Sequence, residues 1–220
     1  MRIVLINPPS IVSYYATVAE LVPPIGVAYL GATLREAGHH VQIIDAVGEN
    51  TTTPVPYQGN LIIRGISFED ILSRVDPGVD VIGISCMFSS QWPHCKALIR
   101  KLKAAFPRVP IIGGGEHFTA MPQYSLQTCP EVDACVLGEG EETFLDLVSA
   151  GWKDGLLEHN TGIAFRKDGQ IIVKPRTGRI KDVDEIPWPS WDLVPIHNYL
   201  DFGLGWGVGK RRAMPMIATR

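Results

Sequence analysis

Short apolar runs recur along the first two-thirds of the chain: 2–6 (RIVLI), 41–45 (VQIID), 80–85 (DVIGIS), 110–113 (PIIG) and 134–137 (ACVL). Each is nearly continuous rather than alternating, the pattern of strands in a parallel sheet covered on both faces. Between them lie segments of helical period. Residues 26–38 (GVAYLGATLREAG) close on a glycine stop, and 68–75 is a shorter helical stretch. Residues 90–106 carry their basic residues in the later turns, where the helix dipole favours them, and stop at Pro107. Residues 141–151 begin with acids. Alternation of this kind predicts a doubly wound α/β domain over residues 1–155, with five parallel strands in the order 2-1-3-4-5.

The rest of the pattern differs. Residues 47–66 are polar, proline-bearing and irregular, and read as a surface excursion after the second strand. After residue 155, residues 162–175 (GIAFRKDGQIIVKP) form two strand-like runs around Lys167-Asp168-Gly169, an antiparallel hairpin expected outside the core of the parallel sheet. Residues 182–199 (DVDEIPWPSWDLVPIHNY) read as an extended strap, with Trp188 and Trp191 as packing residues that tie it down. Hairpin and strap together fill 156–205. Lys210-Arg211-Arg212 is a solvated turn before MPMIATR, one more strand, and the sequence stops where that strand should turn. Residues 206–220 therefore read as the start of a further domain cut short.

Composition narrows the classes. A chain of 220 residues, 45% hydrophobic, can bury a full core. Its net charge of −3 carries no nucleic-acid footprint. No apolar run reaches membrane-spanning length, and MRIVLINPPS is too short and proline-bounded for a signal peptide. Cys86, Cys95, Cys129 and Cys135 show no CxxC pairing and no zinc spacing, so free buried thiols in a reducing cytoplasm are expected.

In an open parallel sheet, ligands bind beyond the carboxyl ends of the strands. The five loops there carry Asn7-Pro8-Pro9, Asp45-Ala46, Ser85-Cys86-Met87-Phe88, Gly113-Gly114-Gly115 with Glu116, His117 and Thr119, and Gly138-Glu139-Gly140-Glu141-Glu142. Three consecutive glycines cost backbone entropy and bury nothing, which suggests a close approach by something else. Neither GxGxxG after the first strand nor GxxxxGK[ST] occurs, and prolines in the first loop lack the N–H groups that cradle phosphate. A phosphorylation receiver of the same fold needs paired acids where this chain has Asn7-Pro8.

Ser85-Cys86-Met87 followed by Gly113-Gly114 resembles the S-x-L…G-G half of the cobalamin-binding signature of corrinoid enzymes, with Met87 in the usual leucine place. That resemblance implies a flavodoxin-like fold whose serine meets a displaced nucleotide tail and whose glycines let it pass. The other half, D-x-H-x-x-G, is missing. If its glycine is Gly26, the histidine place falls on Pro23 and the aspartate place on Leu21, and proline cannot coordinate a metal. INPP at 6–9, PPIGVAYLGATLREAGH at 23–39, GGGEHFTAMP at 113–122 and GEGEETF at 138–144 resemble the amino-terminal half of cobalamin-dependent radical S-adenosylmethionine enzymes. That group includes methyltransferases at unactivated carbon and the anaerobic cyclase that builds the fifth ring of chlorophyll precursors.

The resemblance implies base-off cobalamin without a protein histidine ligand. Its contacts would be Asn7, Pro8, Pro9, Pro24, Ile25, Gly26, Ser85, Cys86, Met87, Gly113, Gly114, Gly115, Glu116, His117, Thr119, Gly138, Glu139, Gly140 and Glu141. It also implies a radical barrel as partner, beginning at MPMIATR, whose CxxxCxxC loop would hold a [4Fe-4S] cluster and S-adenosylmethionine. This sequence lacks that loop, so alone it should perform no radical chemistry. Each contact also has a purely structural reading. Asn7 suits a turn, Pro24 a helix start, Ser85 a helix cap, and Glu139, Glu141 and Glu142 a helix N-terminus. An alternative for the whole chain is a cofactor-free domain of the same fold that scaffolds the barrel.

Overall fold

The computed structural model describes residues 1–15, 22–149, 160–178, 180 and 182–201. The expected strand at 214–220 and the turn at Lys210–Arg212 lie outside them. Five parallel strands build the centre: β1 (Arg2–Asn7), β3 (His40–Asp45), β6 (Val81–Ser85), β7 (Ile111–Gly114) and β8 (Ala134–Val136). They run in the spatial order β3-β1-β6-β7-β8. Alternate side chains of each strand enter opposite cores. Val4, Ile6, Ile82, Ile84 and Ile111 pack with helices α3 (Phe68–Arg74), α4 (Trp92–Ala105) and α6 (Pro122–Thr128) on one face. Ile3, Leu5, Val81, Ile112 and Ala134 pack with α1 (Ile25–Glu36) and α7 (Glu141–Ser149) on the other. Burial on both faces is what makes the runs continuously apolar.

The hairpin departs from expectation. β9 (Ile163–Lys167) and β10 (Gln170–Lys174) turn through Asp168 and Gly169, both at positive φ, but they do not stand outside the core. β9 pairs antiparallel with β8 and extends the same sheet, with Ile163 and Ala164 fully buried. β8 is short and covered on both faces, so an open outer edge would leave its backbone groups unpaired beside a core.

The excursion at 47–66 is not irregular throughout. It begins with a short helix, α2 (Ala46–Glu49), and its strands β4 (Val55–Pro56) and β5 (Leu61–Arg64) form an antiparallel sheet with β2 (Ser10–Ser13) in the order β2-β5-β4. The Gln91 side chain acts as a surrogate strand partner for β2: its Oε1 accepts from Ile11 N at 2.7 Å and its Nε2 donates to Ile11 O at 2.6 Å. A further short helix, α5 (Glu116–Ala120), follows β7.

The strap lies on α1, held by an unforeseen residue. Trp188 is 89% exposed and anchors nothing, whereas buried Ser190 donates both its N–H and its hydroxyl to Ala28 O. Gly31 of α1 makes room, since a Cβ there would sit 2.8 Å from Ser190 Oγ. Arg35 pairs with Asp192, and Trp191 packs against the α1 core. The strap ends in α8 (Ile196–Asp201), whose Asn198 donates to Gly48 O. All four cysteines are free and buried. Burial pushes the Cys135 thiol up to about 12, and burial with the neighbouring Glu131 does the same to Cys129.

Candidate functional site

At the carboxyl ends of the strands, the α1/α7 face carries a row of small and polar residues. Asp45 lies opposite Asn7, Asn7 follows the Ile6–Ile84 pair and so stands next to Ser85, and Ser85 lies opposite Gly114. The Asn7 amide nitrogen donates to Asp45 Oδ1 at 2.7 Å. That oxygen also accepts from Gly48 N, while Oδ2 accepts from the Tyr199 hydroxyl at 2.7 Å. Asp45 is fully buried, which pushes its carboxyl up, and the donors from Asn7, Tyr199, Gly48 and Val47 pull it back. Burial, reinforced by Asp45, pushes the Tyr199 phenol far up, so it stays a donor.

The three glycines do different things. A Cβ at Gly113 would lie 2.4 Å from the Phe118 ring, so Phe118 takes that space. Gly115 has φ +97°, and its Cβ would lie 2.8 Å from Cys86 O; only glycine fits comfortably there. A Cβ at Gly114 meets nothing within 4 Å. The open space at the end of β7 therefore belongs to Gly114, on the side of Asn7 and Ser85. Gly26, in the first turn of α1 after Pro24 and Ile25, is likewise open.

Ser85 caps no helix. The caps of the following 3-10 turn and of α4 are Phe88 and Gln91, and the Ser85 hydroxyl has no partner among the described residues. Met87 and Phe88 beyond it are 52% and 66% exposed, an apolar surface just past the end of β6. Pro8 is half-buried, while Gly138 and Glu116 are exposed.

Other expected contact residues face inward. His117 is 2% exposed, with Nδ1 2.9 Å from Ser89 Oγ, Nε2 3.2 Å from Ser125 Oγ, and its ring stacked on Trp92. Both nitrogens are engaged within the protein, and burial lowers the ring's pKa. Cys86 is buried, with its thiol toward Phe88 O, and Pro9 is buried against Gly65. Thr119 accepts from Gly138 N and donates to Gly115 O, tying two of the loops together. Gly140 packs near Val136, and Glu141 is buried.

Glu139 and Glu142 meet Arg176, a residue the sequence reading did not single out. Its guanidinium donates to Glu139 O and lies 3.0 Å from Glu142 Oε2, and Glu139 Oε2 also accepts from Ile180 N. The acids thus hold the segment after the hairpin against the last loop. Pro23 is buried, its carbonyl accepting from Ile25 N. Among the described residues no three His, Cys, Asp or Glu side chains are grouped to hold a metal ion, and no helix is long and apolar enough to cross a membrane.

A mostly parallel sheet with helices on both faces and a groove of small residues at its carboxyl ends defines an α/β ligand-binding domain. The chain belongs to the B12-binding domain family, whose model matches residues 11–148. It is 34% identical over 211 residues, 94% of this chain, to the uncharacterized methyltransferase PH0819 of Pyrococcus horikoshii, of which the match spans 42%. It is 31% identical over 92% of its length to the anaerobic magnesium-protoporphyrin IX monomethyl ester cyclase of Synechocystis sp., spanning 38% of that protein. The chain thus spans about two-fifths of these relatives. Among solved structures, the cobalamin-dependent S-adenosylmethionine radical enzyme OxsB, with aqua-cobalamin and S-adenosylmethionine bound, aligns with TM-score 0.69 at 18% identity, over 91% of this chain and 25% of that one. The radical S-adenosylmethionine methyltransferase TsrM from Kitasatospora setae aligns with TM-score 0.58 at 15% identity, over 92% of this chain and 37% of that one. At such identities these two likenesses concern the fold.

Proposed function

We propose that the chain is the cobalamin-binding portion of a cytoplasmic radical S-adenosylmethionine enzyme, a methyltransferase or ring-forming cyclase, with its barrel as partner. The observation that carries this reading is the open space at Gly114 in one row with the unpartnered Ser85 hydroxyl and the half-exposed Asn7. The cofactor's nucleotide tail would enter there, with its base displaced, on the α1/α7 face. Gly26 would leave room at the start of α1, and Met87 with Phe88 would offer apolar contact to the corrin rim. When bound, the corrinoid supplies a cobalt centre able to carry a methyl group.

This chain's residues would hold the tail and, by our reading, would offer the cobalt no imidazole. Pro23 takes the ligand place, and both His117 nitrogens are engaged elsewhere. Names of relatives with methyltransferase and cyclase activity support the wider assignment.

The test is binding of hydroxocobalamin by the purified chain, with Gly114→Val beside it. We expect binding by the wild type, at least a tenfold loss in the variant with an unchanged circular dichroism spectrum, and no axial-nitrogen splitting in the electron paramagnetic resonance spectrum of bound cob(II)alamin. Equal binding by Gly114→Val would falsify the tail slot, and triplet splitting abolished by His117→Ala would overturn the ligand assignment.

A further inference from the structure

Asn7 has one end of its amide bonded within the protein and the other without a partner among the described residues. Its Nδ2 is bonded to Asp45 Oδ1, and a carboxylate only accepts, so the amide cannot turn over without setting oxygen against oxygen. Its Oδ1 has no partner among the described residues and belongs to a half-exposed side chain beside Ser85. Asp45 is itself fixed from the far side by the Tyr199 hydroxyl and by Gly48 N. Tyr199 belongs to α8, more than 150 residues away in the chain, and is 4% exposed. One chain of hydrogen bonds thus runs from the strap, through a buried carboxylate, to the Asn7 amide at the end of β1.

Resting on the cobalamin reading above, we propose that Asp45 and Tyr199 are positioning residues that lock Asn7 with its amide oxygen toward the groove, as the acceptor for an N–H or O–H donor of the cofactor's nucleotide tail. Tail binding and docking of α8 are then thermodynamically linked. Whatever orders the Asn7 amide favours the Tyr199 contact, and loosening that contact weakens tail binding by the same factor. The strap carries Tyr199, so occupancy of the Asn7 site is felt there as tighter seating of α8.

Two corrinoids separate this role from general support of the fold. Cobinamide has the corrin ring but lacks the nucleotide tail. Titration of wild type, Tyr199→Phe and Asn7→Ala with hydroxocobalamin and with cobinamide should give a five- to tenfold loss of cobalamin affinity in both variants, the scale of one hydrogen bond. Cobinamide affinity should be unchanged. Hydrogen exchange should show slower exchange over α8 on adding cobalamin to the wild type, and no slowing with Tyr199→Phe. Equal cobalamin binding by wild type and Tyr199→Phe overturns the positioning role alone, and so does a parallel loss of both corrinoids, which marks a merely structural residue. Absence of cobalamin binding by the wild type overturns the cofactor reading and this inference with it.

Discussion

A methyl group added at Gly113 would strike the Phe118 ring, one at Gly115 the backbone of Cys86, and one at Gly114 nothing. Sequence alone presents the three as equivalent, because the atoms that distinguish them come from the β6 loop and from α5. The same limit applies to His117. Its place after the glycines marks it as a groove residue, yet Trp92, Ser89 and Ser125 draw it inward.

His94 is also buried, its ring near Phe68 and Tyr57 and its Nε2 without a partner among the described residues. Burial lowers the pKa of both imidazoles. Above about pH 6.5, the ordinary histidine value, these rings are neutral whether the chain is folded or not, and stability is unaffected. As pH falls below it, the unfolded chain takes up protons that the folded rings refuse, so stability declines. Asp45, whose raised pKa acts in the opposite sense, is common to wild type and variant. The urea midpoint of His94→Phe, which suits the aromatic surroundings, should therefore change less unfavourably from pH 7.5 to pH 5.5 than that of the wild type. An equal change in the two proteins would remove His94 from the account.

Among the elements, the parallel strands were readable because burial on both faces writes a continuous apolar run, a purely local signal. The small β2-β5-β4 sheet was not, because its strands come from two different loops and are only two to four residues long. Gln91 completes that sheet from a third loop, and its amide matches the spacing of a backbone N–H and C=O. Replacing it with Ala removes two hydrogen bonds, worth about 1–3 kcal/mol together. The Ile11 amide should then exchange several-fold faster while the amides of β1 keep their protection. Equal speeding at both sites would mean that Gln91 supports the whole domain rather than this one edge.

For the whole molecule, the boundary expected at residue 155 separates strands that share a core. Ile163 and Phe165 of β9 are packed with Val136 and Ile112. A chain ending at 155 would lack these core side chains and leave β8 with an unpaired outer edge; it should aggregate or melt without a cooperative transition. A chain ending at 201, which keeps the strap with its buried Val194 and Tyr199, should melt cooperatively. A sharp transition in the shorter piece, at the temperature of the longer one, would sink this expectation. The hairpin itself was legible from Asp168-Gly169, but its attachment was not, since an antiparallel strand added to a parallel edge leaves no trace in its own alternation.

That attachment has a bearing on synthesis. Of the strands in this sheet β1 leaves the ribosome earliest, and its neighbours β3 and β6 follow well before the sheet is complete. Translation at about 5–20 residues per second puts seconds between β8 and the strand that covers it. During that interval the nascent chain carries an apolar strand with one open side, a point at which a chaperone or a neighbouring nascent chain has its opportunity.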